Sequence, residues 1–432
     1  MESIWNEALL PSFGPLEGDL KTDVLIIGGG MAGVLCAHFL RRAGVDYALI
    51  EADRVCRGVT GRTTAKLTVQ HGLIYQKLLR QFGAERARMY YEANDAALAQ
   101  YRALCRDIPC DYTEQDAFLY TLDRPQKIKE ELEALEQIGH GGRFVRDLPL
   151  PFPTAGAVCI PHQAQFEPLK FLAGLLPGLR IYEHTAARAF YGRTIYTGRG
   201  KIEADKIIVA THFPILNKHG AYFLKLYQSR SYVLALQGAA KLDGMYRDEK
   251  EGGLSFRSHG ETLLLGGGSH RTGAKSDAWA ELEQFAAAAY PRARVTHRWA
   301  TQDCMSLDGV PYVGPYGRRA EGLYVAAGFN KWGMTSAMAA AMVLRDLVQE
   351  KESPYAPLFD PARSMLRPQL MRNSFEAAKS LLTFRTPRCP HMGCALQWNA
   401  AERSWDCPCH GSRFAENGHL LENPAMGDLE ER

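Results

Sequence analysis

The stretch from residue 23 to 51 constrains the fold more than any other part of the chain. It opens with Asp23-Val24-Leu25-Ile26-Ile27, an apolar run of β-strand character, and passes directly into Gly28-x-Gly30-x-x-Gly33. A helix-compatible segment over 34–42 follows, and then a second strand-like run, Tyr47-Ala48-Leu49-Ile50, that ends on Glu51. This order predicts a βαβ unit whose turn binds a dinucleotide. Gly28 permits the tight turn, Gly30 lets the backbone approach a pyrophosphate, and Gly33 lets helix and strand pack closely. The helix N-terminus, with Met31 and Ala32, then faces the phosphate charge, and Glu51, with Ala52 beside it, reaches a ribose hydroxyl. The glycines alone would be weak evidence. Strand, glycines, helix, strand and terminal acid in register carry the reading.

A chain of 432 residues is long enough for two or three packed units. Its 51 basic and 48 acidic residues leave a formal charge of only +3, which gives no global case for nucleic acid or a polybasic membrane surface. Small molecules are the default partners. The longest apolar run, over 24–27, is far too short for a membrane span, and the start lacks a basic segment followed by an apolar core. A cytoplasmic location is expected on that basis.

Residues 76–104 place Leu78, Leu79, Met89, Leu98 and Leu104 among charges and predict one or two helices. Residues 124–138 predict another, with Asp123 as N-cap, Pro125 in the first turn and Gly139 just past the end. Strand signals occupy 190–210 and Leu263-Leu264-Leu265, and 322–328 reads as a strand leading through a glycine turn into a helix over 334–350. Pro354, Pro357 and Pro361 then break the periodicity and mark a linker.

Four segments bear on which dinucleotide is bound. Gly58-Val59-Thr60-Gly61-Arg62-Thr63-Thr64-Ala65 resembles the FAD-contacting loop of the D-amino-acid-oxidase-like flavoproteins, and Ala210-Thr211-His212 resembles that family's strand-end contact. Asp308-Gly309-Val310-Pro311-Tyr312-Val313-Gly314 matches its late D-G-x-P-x-x-G segment, and residues 328–335, including Gly328, Gly333, Met334 and Thr335, match its glycine-rich turn at the flavin ring. The resemblance covers about residues 20–350 and implies FAD in place of NAD. A helix end near the pyrimidine side of the ring would stabilise the anion of reduced flavin. The implied fold is α/β with an α+β substrate domain, a glutathione-reductase-type FAD-binding Rossmann fold followed by a small C-terminal β unit. The FAD-binding domain is expected over 1–82, 148–215 and 300–352, the substrate domain over 83–147 and 216–299, and the linker over 353–383.

The β unit, over 384–432, contains Cys389-Pro390-His391-Met392-Gly393-Cys394 and Cys407-Pro408-Cys409-His410-Gly411-Ser412. C-x-H, a spacer of about fifteen residues and C-x-x-H resemble the Rieske 2Fe-2S signature. By that resemblance Cys389 and Cys407 hold one iron, His391 and His410 hold the other, and Cys394 and Cys409 form a disulfide between the loops. A structural zinc site of Cys and His is the alternative. The unit is abbreviated: residues 373–382 read as helix, and only Thr383-Phe384-Arg385-Thr386-Pro387 precedes the first ligand loop. It is therefore expected to lean on the flavin domain or a second chain for part of its core, and a homo-oligomer is compatible with that.

The resemblance implies an oxidoreductase that takes a hydride from a carbon beside nitrogen in a small amine or amino acid. A one-electron cluster on the same chain favours a dehydrogenase that passes electrons singly to an external acceptor. Reverse flow toward a reducible substrate and a non-catalytic electron carrier remain alternatives. A pyridine-nucleotide-linked reductase is disfavoured, because Gly266-Gly267-Gly268 lacks the spacing and the helix of a second fingerprint, and no His pair with an acid suggests a mononuclear iron site. Candidate substrate residues are His71, Tyr75, His270 and Arg271, with Arg271 suited to a carboxylate. Gln163, Gln165, Lys66 and Lys331 are further candidates, each equally readable as packing. The six other cysteines read as ordinary thiols.

Overall fold

The computed structural model describes residues 3–7, 10–217, 219–383 and 386–430. Phe384 and Arg385, expected to lead into the first cysteine loop, lie outside the described residues.

The strand Leu20–Ile27 lies between Tyr47–Ile50 and Lys201–Val209 and is parallel to both. Ile181–Tyr182 extends this sheet beyond Tyr47–Ile50, and Leu323–Ala327 and Tyr312–Pro315 extend it on the other side; only the last of these is antiparallel to its neighbour. Both faces are covered, which is why the strand reads as an unbroken apolar run. Val24 and Ile26 pack into a core with the helices Met31–Arg42 and Gly333–Val348, while Leu25 and Ile27 enter a separate core with Ile207, Val209 and Val325. Period-two alternation thus feeds two cores from one strand.

A second sheet has nine strands and supplies the other body of the molecule. Its middle is built by Thr113–Thr121, Met245–Asp248, Ser255–His259 and Thr262–Arg271, and its long edge by Leu226–Gln237 and Arg294–Ser306. Two expected boundaries shift here. Gly156–Gln165, assigned from sequence to the FAD-binding domain, pairs with Thr113–Thr121 in the nine-stranded sheet, and Arg294–Ser306 runs past the boundary at 300 in the same sheet. A buried apolar strand carries no local signal of which sheet it joins. The region 74–104 is one helical stretch bent at Gly83, which sits at φ 81° and ψ 173°. The helix Pro125–Gln137 starts from Arg124 without a side-chain cap, so Asp123 is not its N-cap. Asp123 is instead ion-paired to Lys250.

The segment expected as a linker holds the helices Ala356–Phe359 and Pro368–Leu381. It is strapped down by Arg363, whose Nε and Nη2 donate to the two oxygens of buried Asp308 at 2.7 and 2.9 Å. After it comes a four-stranded antiparallel meander, Gln397–Asn399, Ser404–Asp406, Arg413–Ala415 and Leu420–Glu422. Its small core gathers Cys389, Cys394, Leu396, Cys407, Cys409 and Phe414, with Ala377 of the preceding helix packed against them.

Candidate functional site

The dinucleotide turn is sterically closed to other residues. Gly28 has φ 109°, and a Cβ there would lie 2.5 Å from the Ala210 carbonyl oxygen. A Cβ on Gly33 would lie 1.9 Å from the Gly28 carbonyl oxygen. At Gly30 the same construction meets only the Thr60 hydroxyl, at 3.3 Å, so the space in front of the helix N-terminus is open. That helix has no side-chain cap on Gly30, and the Met31 N–H donates to Thr60 Oγ1 at 3.0 Å. An open, uncapped N-terminus fits a pyrophosphate. Glu51 accepts from the N–H groups of Gly29 at 2.7 Å and Asp53 at 3.0 Å, which fixes its carboxylate at the turn. Those bonds leave lone pairs for a ribose hydroxyl.

The segment after Glu51 is braced from the second sheet and the N-terminus. Trp5 Nε1 donates to the Thr63 carbonyl at 2.7 Å, Trp299 Nε1 to the Arg62 carbonyl at 2.9 Å, and buried Arg257 to the Ala65 carbonyl at 2.7 Å. Gly58 opens the short helix Val59–Arg62, and Thr63 Oγ1 accepts from Ala65 N at 2.9 Å, which leaves Thr64 half-buried between them. Sequence reasoning missed Thr60, Arg257 and Trp299 as supports, and for the last two nothing in the local sequence signals the role. Gly328 sits at φ 70°, and the helix Gly333–Val348 again begins without a side-chain cap.

Beside this turn, against the second sheet, lies a small cavity of about 20 Å³ lined by Lys66, Thr68, Gln70, Phe118, Arg247 and Trp332, among others. Burial first, then Arg257 and Arg247 nearby, holds the Lys66 amine well below its ordinary range. The one hydrogen bond of Arg247 among the described residues goes to the Glu251 carbonyl at 3.5 Å, and its guanidinium lies 5.9 Å from the Trp332 ring. Neither cation has a carboxylate within ion-pair distance among the described residues. Lys331 differs: it is paired with Asp303 at 3.3 Å and donates to Ser231 Oγ at 2.8 Å.

The expected substrate residues fall elsewhere. His71 is buried, bonded through Nδ1 to the Tyr90 hydroxyl at 2.6 Å and through Nε2 to Thr68 O and Thr335 Oγ1 at 2.8 and 3.1 Å. Burial lowers its pKa to about 3, so it is neutral, and it stacks behind Trp332 at 4.8 Å. It backs the cavity wall and does not face the cavity. Tyr75 is a core residue whose hydroxyl donates to the Val69 carbonyl at 2.5 Å. Gln163 and Gln165 brace backbone at Val69, Pro161 and Ser258.

His270 and Arg271 lie at the junction with the C-terminal unit. His270 Nε2 bonds the Tyr232 hydroxyl at 3.0 Å. Each of the three guanidinium nitrogens of Arg271 is engaged: Nε on the Pro408 carbonyl at 2.8 Å, Nη1 on Asn373 Oδ1 at 2.8 Å, and Nη2 on the Cys409 carbonyl at 3.1 Å. A substrate carboxylate has no free fork there. Arg271 holds a cysteine loop in place.

The two cysteine loops are built alike. Cys389 N donates to Cys394 O and Gly393 N to Cys389 O, each at 2.9 Å; Cys407 N donates to Ser412 O and Gly411 N to Cys407 O, also at 2.9 Å. Gly393 and Gly411 take the positive φ that closes each turn, 74° and 86°. The imidazoles of His391 and His410 stand perpendicular with centroids 4.8 Å apart. Their Nε2 atoms bond Asn217 Oδ1 and the Phe223 carbonyl at 3.0 Å each, while both Nδ1 atoms are buried without a partner among the described residues. Burial lowers His391 to about 3 and His410 to about 4, which leaves neutral bases. Two buried Nδ1 atoms and buried thiols on the same two loops, each ring oriented by its other nitrogen, are the donor set that a mixed His/Cys cluster needs. The implied disulfide is not formed here: all ten cysteines are free thiols. The sulfurs of Cys394, Cys407 and Cys409 instead lie within 4.8 Å of one another.

The unit is docked through polar contacts. Gln228 Nε2 donates to the carbonyls of His410 and Asn423 at 3.0 Å, and Gln302 Nε2 to that of Gly411 at 2.8 Å. Fully buried Arg230 is paired with Glu402 and Glu422. Phe213 packs edge-on to both cluster histidines, and Asn423 Nδ2 donates to the Thr211 carbonyl at 2.6 Å.

Fold and sites together define a two-cofactor redox protein, a dinucleotide-binding oxidoreductase joined to an iron–sulfur unit. The chain belongs to the FAD dependent oxidoreductase family, whose model matches residues 23–347, and it carries a Rieske [2Fe-2S] domain matched over 377–431. It is 36% identical to the Rieske 2Fe-2S iron-sulfur protein YhfW of Bacillus subtilis (strain 168), over all of this chain and 97% of that one. Two solved structures share the flavin-domain fold. An L-proline dehydrogenase from P. horikoshii has TM-score 0.68 and 16% identity, with 81% of this chain and 98% of that one covered. A glycine oxidase from Geobacillus kaustophilus has TM-score 0.68 and 19% identity, covering 80% and 100%. The cofactors are FAD and a Rieske 2Fe-2S cluster, in place of zinc, and the enzyme is an FAD-dependent oxidoreductase. No described helix is long and apolar enough to cross a membrane.

Proposed function

We propose that the chain is a dehydrogenase that oxidises a C–N bond of a small amine or amino acid and sends the electrons singly through the cluster to an external acceptor. The observation that carries this is the continuity of residues 210–213. The Ala210 carbonyl abuts Gly28 of the dinucleotide turn, and three residues later Phe213 packs against His391 and His410. A cluster serving only as a staple would need no such contact.

Bound FAD supplies hydride acceptance from the carbon beside nitrogen. The chain supplies the rest. Lys66 and Arg247 hold a substrate carboxylate, because two half-buried cations with no ion pair among the described residues are stabilised by an anion. Trp332, Phe118 and Leu119 exclude water around the reacting carbon, and His71, neutral and stacked on Trp332, fixes that wall. The likeness to L-proline dehydrogenase and glycine oxidase structures supports an amino-acid substrate class.

The test is anaerobic mixing of the holoprotein with a panel of amino acids and secondary amines. Flavin bleaching followed by the rhombic paramagnetic signal of a reduced cluster is expected, with turnover faster on a one-electron acceptor than on oxygen. Absence of bleaching across the panel overturns the substrate class. Bleaching with peroxide release and no cluster reduction overturns the electron route.

A further inference from the structure

Gln228 is a buried amide, 1% exposed, with both its polar atoms used across the junction of the two units. Its Nε2 donates to the carbonyls of His410 and Asn423, and its Oε1 bonds His212 Nε2, each at 3.0 Å. Two carbonyls can only accept, so they take both amide N–H groups, and Oε1 is left to accept from the imidazole. This fixes the way the amide faces and places the His212 proton on Nε2. A Cβ on Gly411, the residue after His410, would lie 2.5 Å from Gln228 Cβ, so the second cysteine loop rests directly on this side chain. The other end of the network is on the dinucleotide side. Asn423 Nδ2 donates to the carbonyls of Thr211 and Phe213, at 2.6 and 3.2 Å. Between them His212 has φ 65°, a left-handed backbone uncommon outside glycine, and its ring meets Gln228.

We propose that Gln228 is the positioning residue for electron transfer between the two cofactors, joining the 210–213 segment to the cluster ligand His410 through one fully bonded amide. This deepens the electron route given above and rests on it. A staple between the units would be served by an apolar side chain of similar volume, because a buried amide costs stability unless its polar atoms are bonded. Bonded on three sides, Gln228 instead fixes the His410 carbonyl relative to His212, and such networks rigidify what they join. Phe213 touches the same histidines only through ring edges, which set no comparable register. Each transfer moves one electron from reduced flavin to the oxidised cluster, and no bond forms or breaks along the amide. Its rate depends on how closely the two ends are held and aligned. Gln302 supplies the comparison: its Nε2 donates to the Gly411 carbonyl at 2.8 Å and its Oε1 accepts from Thr272 Oγ1 at 2.9 Å. Its side chain anchors the same loop with no bond to the 210–213 segment among the described residues.

The experiment puts single electrons on the FAD- and cluster-loaded full chain by a light flash with deazaflavin and EDTA, without substrate, and follows their redistribution between flavin and cluster by absorbance. Gln228→Leu should slow that redistribution by about ten- to a hundred-fold, the scale for partners that lose their alignment. The slowing should exceed what any change in the two midpoint potentials explains, in molecules whose paramagnetic signal shows the cluster intact. His212→Asn tolerates the left-handed backbone but is too short to reach Gln228, so it should slow the redistribution likewise while the loop stays anchored. That variant decides the matter if Gln228→Leu loses its cluster. Gln302→Leu should keep the native rate. A native rate in Gln228→Leu or His212→Asn overturns the proposal and leaves the electron route standing. Equal slowing in Gln302→Leu also overturns it, since Gln228 would then only hold the loop. No redistribution in the native protein overturns the electron route itself, and the proposal with it.

Discussion

Phe213 stands edge-on to His410, with ring centroids 6.0 Å apart and planes at 70°, and it makes the same kind of contact with His391 at 6.2 Å. It lies just beyond the strand Lys201–Val209, three residues after Ala210, whose carbonyl abuts the dinucleotide turn. The iron–sulfur unit is therefore seated on the flavin domain at its own ligand loops, while its small apolar core is built from residues 377–429 alone.

Replacing Gly33 with alanine should strip the protein of FAD. The added Cβ would sit 1.9 Å from the Gly28 carbonyl oxygen, so strand and helix must part and the turn must open. The ratio of flavin to protein absorbance in purified, folded variant measures the loss.

Replacing His410 with cysteine should lower the cluster potential, because a thiolate on the histidine-held iron stabilises the oxidised state. A redox titration followed by paramagnetic resonance checks the direction. Amine-dependent flavin bleaching should persist while turnover with a one-electron acceptor slows.

Lys66→Met and Arg247→Met should each weaken binding of a carboxylate-bearing substrate analogue by about ten- to a hundred-fold, the range for a hydrogen bond to a charged group. Flavin absorbance shifts on titration with the analogue give the constants. In the native protein the same affinity should fall with rising pH, and at a lower pH than free lysine would predict. The sign follows from burial, which depresses the Lys66 pKa, so its charge is lost as pH climbs through that lowered value.

Arg271→Ala should loosen the second cysteine loop, because it removes the donors to Pro408 and Cys409 together with the link to Asn373. A loss of about 2–4 kcal/mol for the docked unit is expected from several charge-assisted bonds. Faster cluster loss on mild heating, at unchanged flavin content, is the measurement.

Acid should release the iron–sulfur unit. Burial opposes the Glu422 charge, but Arg230, Arg413 and Arg62 outweigh it and lower the carboxyl from 4.5 to about 2. A depressed carboxyl contributes stability above pH 4.5 and loses it as pH falls toward 2, up to about 3 kcal/mol in the limit of full shift. Glu422→Gln should flatten that part of the pH profile of cluster release.

The sequence by itself determined the two cofactor units, because each rests on local chemistry. Gly28, Gly30 and Gly33 sit within one turn, and the donors Cys389, His391, Cys407 and His410 sit within two short loops, so spacing along the chain is nearly spacing in the fold. What only the tertiary structure decided is how those units meet and what lines the cavity. Lys66, Arg247 and Trp332 converge from two strands and a turn far apart in the chain, and no local pattern links them. Arg271 looked like a carboxylate fork because a free guanidinium suits one; its use was set by the Pro408 and Cys409 carbonyls, 137 and 138 residues away, which already occupy its donors. The strand Gly156–Gln165 could be seen as a strand, but its sheet was chosen by partners with unpaired backbone at the right edge. Local steric and donor rules act on neighbours in sequence and can be read there. Packing, burial and ion pairing depend on which distant segments share a space, and that is fixed only when the chain closes on itself.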